Sequence, residues 1–453
     1  MNSRSANRRS TARRWEYRPA FAQEPLPRYT SYPPANRFTG TVGPGAARHA
    51  LSTLPGDATL SLYIHIPFCK KLCWYCGCHT SVPTINDPLD AYVDALMAEI
   101  ADVARVVPPS ATVTRLHFGG GSPDILAARH VRNIMAVLRA NYSFSPFAEI
   151  AAELDPRGLT TDVVNAYAAA GLSRASLGVQ VLDASVQARI NRIQPRAQIE
   201  AAVRDLRDAG VDSLNMDMMY GLPGQTIDHV IETATFASMH DVDRIAVFGY
   251  AHVPWMKKHQ KGIQTGDLPD GEARFQQAEA AASMLESGGY LPIGFDHFAA
   301  PGDSLATADQ QGRLRRNFQG YTDDNATALI GFGASAVSSL PNLIYQNVAD
   351  TTAYREFIAD RRSPVVRGTV LTAEDRRIAG VIEQILCNFE AAIPPDLLED
   401  ARPRLASALV AGLADLRGNA LSVTSRGRPY IRNIAACFDP AFALQTGKHS
   451  LAI

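Results

Sequence analysis

From about residue 60 the chain alternates short apolar runs with longer stretches of helical period. The runs are 60–66 (LSLYIHI), 114–120 (TRLHFGG), 149–154 (EIAAEL), 174–180 (RASLGVQ), 213–221 (SLNMDMMYG) and 244–251 (RIAVFGYA). Between them, segments such as 88–107 and 199–210 place apolar residues at helical spacing, and Gly210 stands where a helix C-terminal glycine belongs. Strands alternating with helices predict a parallel sheet. Six such units fit an α/β fold of the open type, a partial (β/α)6 TIM-like barrel, better than a doubly wound sheet. Polar and glycine residues gather at the C-terminal end of every run: HIPFC, HFGGGSP, ELDPR, GVQ, MDMMYGLP and GYAH. In parallel α/β folds that edge carries the functional site.

The flanks differ in character. Residues 1–18 hold six Arg and a single acid, Glu16, without an apolar stretch. They are expected to be disordered and dispensable. A mitochondrial transit peptide is the other reading, but no amphipathic apolar face accompanies the arginines. Residues 19–56 are Pro- and Gly-rich and polar, which predicts an extended arm outside the core. Segments 371–390 and 394–416 read as helices, and 420–439 as a short hairpin leading into a helix. The expected organisation is an N-terminal arm over 1–56, partly disordered, a barrel-type catalytic domain over 57–350, and a smaller, mostly helical C-terminal domain over 351–453.

Charge and composition narrow the function. Lys plus Arg number 44 and Asp plus Glu 45, a net charge of −1. A general nucleic-acid binder would carry a basic excess. No apolar run reaches the roughly 18–20 residues of a membrane span. Six cysteines in 453 residues are too few for a disulfide scaffold. Four of them, Cys69, Cys73, Cys76 and Cys78, fall within ten residues. Such crowding in a Cys-poor chain reads as a metal site in a reducing, cytoplasmic setting. Three thiolates at Cys-x3-Cys-x2-Cys spacing on a loop can hold an iron–sulfur cube and leave one iron open to a small molecule. Structural zinc is the alternative. Closed zinc sites draw four ligands, usually as two separated pairs, and no second pair follows here, although Cys78 and His79 could complete a site on paper.

The stretch YIHIPFCKKLCWYCGC resembles the cluster loop of radical S-adenosylmethionine enzymes. The GC after the third cysteine, with RYTSYP (28–33), GGGSP, NMDMMYGLP, RRNFQGYT and IRNIAACFD (431–439), resembles one family among them, the oxygen-independent coproporphyrinogen III oxidases or dehydrogenases. The resemblance covers nearly the whole chain. It implies a 4Fe–4S cluster on Cys69, Cys73 and Cys76, with Cys78 left out of the ligand set. It also implies two molecules of S-adenosyl-L-methionine, whose contact positions match Tyr63, Tyr75, Gly120, Gly121, Ser122, Glu153, Gln180, Arg192, Asp217, Ala251 and Val337. Ser122 stands where the family usually has Thr, Val337 where Ile is commoner, and Tyr75 where Phe is often found. Arg192 and Asp217 are expected at the rim of the site, not in its core.

The implied reaction is oxidative decarboxylation of two propionates of coproporphyrinogen III to vinyl groups, giving protoporphyrinogen IX in porphyrin and haem biosynthesis. External electron donors and acceptors are implied, and the protein is expected to act as a monomer. With so little net charge, the propionates must meet local cations. Arg313, Arg315, Arg316 and Arg28 are the candidates, and RYTSYP is expected to matter from Arg28 onward. A haem-binding or haem-trafficking relative, or another tetrapyrrole-acting radical enzyme on the same scaffold, is the alternative.

Overall fold

The computed structural model describes residues 15–84 and 88–442. Six parallel strands appear where the apolar runs predict them: β1 (Thr59–Ile66), β2 (Thr112–Gly120), β3 (Ser143–Leu154), β4 (Arg174–Gln180), β5 (Ser213–Tyr220) and β6 (Arg244–Gly249). Helices such as Leu89–Ala104, Ala128–Asn141 and Arg196–Asp208 connect them and cover the outer face with their apolar stripes. Gly210 adopts φ 82° just past the last of these, the left-handed conformation that ends a helix.

The sheet is wider than the pattern predicts. Short strands β7 (Leu291–Ile293) and β8 (His297–Ala299) extend it beyond β6, and β9 (Arg315–Asn317) with β10 (Gly320–Thr322) form a separate hairpin. On the opposite flank β11 (Ala328–Phe332) runs parallel to β1, followed by antiparallel β12 (Val337–Leu340), β13 (Leu343–Asn347) and β14 (Val365–Val370). The full order is β14-β13-β12-β11-β1-β2-β3-β4-β5-β6-β8-β7. Its two ends lie at opposite limits of the order, so the barrel is open. The main sheet therefore runs to Val370, past the expected boundary at 350. Helix Thr351–Ala359 buries Tyr354 in the same core as the barrel strands. Strands of three to six residues whose turns follow at once are too short for a period to show.

A second core is built from helices Ala373–Asn388, Pro395–Val410 and Ile431–Ala436 with a small sheet of β15 (Glu390–Ala392), β16 (Ala414–Arg417) and β17 (Ala420–Val423). Part of the N-terminal arm belongs to it. Ala22, Leu26, Tyr29 and Tyr32 are buried there, and helix Pro44–Ser52 sets Ala47 and Leu51 into the barrel core. The expectation that 19–56 lies outside the core is thus corrected. The hydroxyls of Tyr29 and Tyr32 donate to the buried carboxylate of Asp439 at 3.2 and 3.3 Å, and Asn433 donates to the carbonyl of Phe21 at 3.0 Å. RYTSYP and IRNIAACFD, remote in sequence, are one interface. Aromatic residues that pack non-locally in a Pro-rich stretch leave no periodic trace.

The disorder expected of residues 1–14 falls outside the described residues. Residues 15–18 are held: the Trp15 amide donates to Glu279 at 2.6 Å, the Trp15 ring packs edge-on against Phe275 at 6.3 Å, and the Arg18 amide donates to the Tyr430 hydroxyl at 2.8 Å. Deleting residues 1–18 is therefore expected to lower stability by roughly 2 kcal/mol, from the two lost aromatic pairs of Trp15 and Tyr17 with Phe275 and the hydrogen bonds beside them, while turnover survives. Deleting 1–40 also removes Leu26, Tyr29 and Tyr32, and turnover should fall. Urea titration and an activity assay of both variants check this. Equal stability of the 1–18 deletion and the full chain would show that these contacts contribute nothing.

Candidate active site

The sheet's inner face explains why the site is polar. Along each strand every second residue points inward. Those positions are Ser61, Tyr63 and His65 on β1, Arg115 and His117 on β2, Glu149 and Glu153 on β3, Ser176 on β4, and Asn215 and Asp217 on β5. Most of them wall one cavity of about 780 Å³, and the loop that carries the cysteines forms part of its mouth.

That loop is fixed at many points. The Cys69 amide donates to Ser81 O and the Ser81 amide to Pro67 O, each at 2.9 Å, which closes its base. The Trp74 amide donates to Ile190 O at 2.9 Å, and Asn191 donates to Leu72 O at 2.8 Å. From the segment after β6, His259 donates to Cys76 O at 2.7 Å, Lys257 to Cys78 O at 2.9 Å, and Gln260 to Tyr75 O at 3.1 Å. Cys69, Cys73, Cys76 and Cys78 all line the cavity, and all are free thiols. Among the described residues no three His, Cys, Asp or Glu side chains close on one point as ligands of a single ion. Cys69, Cys73 and Cys76 are the thiols that could hold an iron–sulfur cluster.

The glycine turn after β2 serves that loop. The Gly121 amide donates to Ile66 O and the Ser122 amide to Phe68 O, each at 2.8 Å. Gly120 has φ 112°, and a Cβ there would lie 2.6 Å from the His65 ring. One on Gly121 would lie 2.5 Å from Phe68 O. Both positions therefore require glycine for the turn to press against the cysteine loop. The Ser122 hydroxyl donates to Cys69 Sγ at 3.4 Å.

Charge is concentrated beside Cys73, which is only 6% exposed. Arg157 Nη2 and Arg192 Nη1 reach its sulfur at 3.2 and 3.4 Å. Arg192, 5% exposed, also pairs with Asp155 through both nitrogens, at 3.1 and 3.2 Å, and Arg157 grips the same carboxylate. Burial pushes the Asp155 carboxyl up, but Arg192 and Arg157 outweigh it and hold it below its ordinary value. The expectation that Arg192 sits at the rim is corrected: it is a buried ion-pair member behind a cysteine. Arg192 follows a six-residue helix, Ala184–Arg189, that folds back under the cysteine loop, a long-range placement that local pattern does not show.

Asp217 lies mid-strand on β5, half-buried on the cavity wall, where it accepts from the Ser176 hydroxyl at 3.0 Å and Asn215 at 2.8 Å. Burial raises its pKa. Burial also acts on Glu153, but hydrogen bonds from His117 at 3.2 Å and the Gly120 amide at 3.1 Å leave its carboxyl lowered. His65 is pushed down by burial to about 4, so its ring is neutral at pH 7. Gln180 ends β4 after a bulge and has φ 67°, a strained conformation for a side-chain-bearing residue.

Of the residues expected at the site, Cys69, Cys73, Cys76, Tyr75, Gly120, Gly121, Ser122, Glu153, Gln180, Arg192, Asp217 and Ala251 line the cavity. Tyr63 and Val337 are not among its lining residues. Tyr63 stacks on the lining residue His117 with ring centroids 5.8 Å apart, whereas Val337 lies on β12, separated from β1 by β11. The arginine triple does not act together. Arg313 is exposed and bonds Gln311, Arg315 pairs with Glu383 at 3.3 Å, and Arg316 is held between the rings of Phe295 and Tyr321 at 4.8 and 4.5 Å. Adjacent strand residues face opposite ways, so a run of arginines on β9 cannot form one patch. Arg28 does reach the cavity, donating to Gly249 O at 3.1 Å. Sequence reasoning missed Asp155, Arg157, His117 and Asn215. The first two lie in the ELDPR motif, and the others follow from the period-two stripe.

The residues fit an iron–sulfur cluster with a polar cofactor. Arg157 Nη1 and Asn215 Oδ1 are buried, line the cavity and have no protein partner, as donor and acceptor groups awaiting a polar ligand would. Residues 63–237 match the Radical SAM superfamily. The chain is 44% identical to an oxygen-independent coproporphyrinogen III oxidase of Bradyrhizobium diazoefficiens, over 96% of this chain and 98% of that protein. It is 38% identical to the enzyme of the same name from Escherichia coli K12, over 91% and 92%. The solved structure of the Escherichia coli coproporphyrinogen III oxidase, described as a radical SAM enzyme, superposes with a TM-score of 0.87 at 37% identity, covering 91% of this chain and 97% of that one. At 37–44% identity over nine-tenths or more of its own length and of theirs, the chain belongs to the oxygen-independent coproporphyrinogen III oxidase family of radical SAM enzymes.

Proposed function

We propose that this protein converts coproporphyrinogen III to protoporphyrinogen IX by oxygen-independent oxidative decarboxylation of two propionates. The observation that carries this reading is the meeting of three cysteines and a glycine turn at the mouth of one large polar cavity, in a chain 44% identical to an oxidase of that name. When bound, the cluster and S-adenosylmethionine supply a 5′-deoxyadenosyl radical. The propionate loses a hydrogen atom from its β-carbon, the bond to its carboxylate breaks, and carbon dioxide and one electron leave as the vinyl forms. An external acceptor takes that electron, and an external donor provides the one that starts each cycle.

The chain's own residues divide the work. Cys69, Cys73 and Cys76 would hold three irons, with Arg157 and Arg192 offsetting thiolate charge at Cys73. Glu153, kept ionised by His117 and the Gly120 amide, offers an acceptor for the cofactor's amine. Asp217 offers a second acceptor across the cavity, and Tyr75 an aromatic cover. The cavity volume of about 780 Å³ lies within the ~300–1,000 Å³ of small-molecule sites, and two cofactor molecules are what the family resemblance implies for it. Tyr63 and Val337 would act from outside the lining. All six cysteines are free thiols, which supports a cytoplasmic setting. No helix among the described residues is long and apolar enough to cross a membrane. We read the protein as a monomer.

The test is anaerobic reconstitution with iron and sulfide, then assay with coproporphyrinogen III, S-adenosylmethionine and a reductant. Protoporphyrinogen IX with two carbon dioxide per substrate is expected. A cluster-loaded protein that leaves coproporphyrinogen unchanged, yet binds haem, would favour the haem-trafficking reading.

A further inference from the structure

Lysine is spread unevenly along this chain. It occurs six times in 453 residues, at Lys70, Lys71, Lys257, Lys258, Lys261 and Lys448, and arginine fills every other permanently cationic position. Lys448 lies outside the described residues. The other five fall on two segments, one in the cysteine loop and one after β6, which are held together. His259 donates to Cys76 O at 2.7 Å, Lys257 to Cys78 O at 2.9 Å and Gln260 to Tyr75 O at 3.1 Å. Every lysine among the described residues therefore stands on the loop that would hold the cluster or on the segment bonded to it.

These charges face outward. Lys70, Lys71, Lys258 and Lys261 are exposed. Lys70 donates to Gly158 O at 2.8 Å, and none of the five forms an ion pair with a carboxylate among the described residues. Segments 68–84 and 253–264 contain no Asp or Glu. The acids that border them are occupied. Asp267 pairs with Arg189 at 2.8 Å, buried Asp124 accepts from the Asp155 amide at 2.9 Å, and Asp350 caps helix Thr351–Ala359 through the Ala353 amide at 2.8 Å. The inner arginines of the barrel contrast with this: Arg115, Arg174, Arg192 and Arg244 each meet a carboxylate within 3.2 Å. Apolar side chains accompany the lysines. Trp255 and Met256, just before Lys257, are 50% and 67% exposed. Ile193, two residues past the Asn191 that bonds Leu72 O in the cysteine loop, is 52% exposed.

A lysine is a compact, hydrated charge on a flexible stem, suited to attracting a partner more than to locking a fixed pair. Aromatic and Met side chains within a charged rim are the make-up of a protein interface, and a one-signed rim selects a partner of the opposite sign. Electron-transfer encounters bury little surface, below about 1,200 Å² in all, so a patch of this extent suffices. We propose that Lys70, Lys71, Lys257, Lys258 and Lys261, with Trp255 and Met256, form the docking surface for a small acidic one-electron carrier protein that reduces the cluster held by the same loop. This rests on the functional reading above and names the chemistry of its electron donor. One electron leaves the reduced carrier and enters the oxidised cluster; no bond is made or broken and no proton moves.

The test is stopped-flow reduction of the cluster-loaded full-length protein by a reduced acidic ferredoxin, anaerobically, without tetrapyrrole, at low and high salt. Calorimetric titration of the oxidised ferredoxin runs alongside. In Lys258→Glu/Lys261→Glu the second-order rate and the affinity should each fall about tenfold at low salt. The gap should close near ~1 M salt, where the screening length is ~3 Å. Arg132→Glu/Arg204→Glu, at exposed positions on helices Ala128–Asn141 and Arg196–Asp208, changes the net charge equally and should leave both close to wild type. Reduction by dithionite and dithionite-driven turnover should be the same in all three proteins. Unchanged ferredoxin kinetics in the lysine variant overturns the surface, as does an equal loss in the arginine variant. Slower dithionite-driven turnover with normal ferredoxin reduction would assign the lysines to the anionic substrate and also overturns it. Wild-type protein that shows the salt-dependent reduction but leaves coproporphyrinogen unchanged keeps the surface and overturns the functional reading.

Discussion

Cys73→Ser is expected to abolish iron–sulfur loading and turnover, whereas Cys78→Ser keeps both the cluster and a large share of activity. The two thiols are five residues apart, but their surroundings differ. Cys73 is buried, and two guanidinium groups donate to its sulfur. Those contacts place positive charge directly against the sulfur that would bind iron. A serine hydroxyl ionises far less readily and cannot supply the same anion, so one corner of the cluster would be lost. Cys78 is exposed on the cavity wall. Its amide donates to Cys76 Sγ at 3.4 Å, and hydrogen bonds from its side chain and backbone hold the Cys76 thiol below its ordinary value. Its backbone contribution survives substitution, so only a modest effect on Cys76 follows. Anaerobic iron and sulfide counts with a visible spectrum of both variants decide the matter. Cluster loss in Cys78→Ser with retention in Cys73→Ser would reverse the assignment of ligands.

Local chemistry was legible in the sequence, and tertiary consequences were not. The six strands β1 to β6 could be read because each is a run of apolar residues bounded by a helix-period segment. Their C-terminal ends could be read because glycine, proline and charge gather there. The cysteine loop and the glycine turn announce themselves by spacing. The mutual fit of these two motifs could not be seen: Gly121 is required by Phe68 O and Thr80, and the Ser122 amide is bound to Phe68 O. The same limit explains the arm. Tyr29 and Tyr32 look like surface residues in a polar, Pro-rich stretch until Asp439, some four hundred residues on, supplies the buried acceptor that makes their burial favourable. It also explains the arginines. Four candidates follow from the propionates' need for local cations, yet only Arg28 lines the cavity: Arg313 lies exposed before the strand, and Arg315 and Arg316, adjacent on it, are engaged by Glu383 and by the rings of Phe295 and Tyr321.

Arg192 and Asp217 separate structural from ligand-facing charge, and their alanine variants should behave differently. Arg192→Ala removes one half of a buried ion pair and leaves Asp155 with Arg157 alone. Breaking a buried pair from one side costs about 3–5 kcal/mol; the surviving Arg157 contact places this case near the lower figure. The cysteine loop should loosen with it, since the same guanidinium reaches Cys73. Arg192→Lys restores charge but not the two-pronged geometry, and is expected to recover only part of the stability. Asp217→Ala is different. The carboxylate is half-buried on the cavity wall, and Ser176 and Asn215, which donate to it, line the same cavity and can turn to water. Stability should change by less than about 1 kcal/mol, while S-adenosylmethionine binding weakens by about tenfold to a hundredfold, the loss of roughly 1.5–3 kcal/mol for a charged hydrogen bond. Urea unfolding of both variants and calorimetric titration of S-adenosylmethionine into the cluster-loaded proteins give the two readouts. An Arg192→Ala protein as stable as wild type would mean that the pair with Asp155 contributes nothing to the fold. An Asp217→Ala protein with unchanged cofactor affinity would remove Asp217 from the binding site and leave it as a partner of Ser176 and Asn215 only.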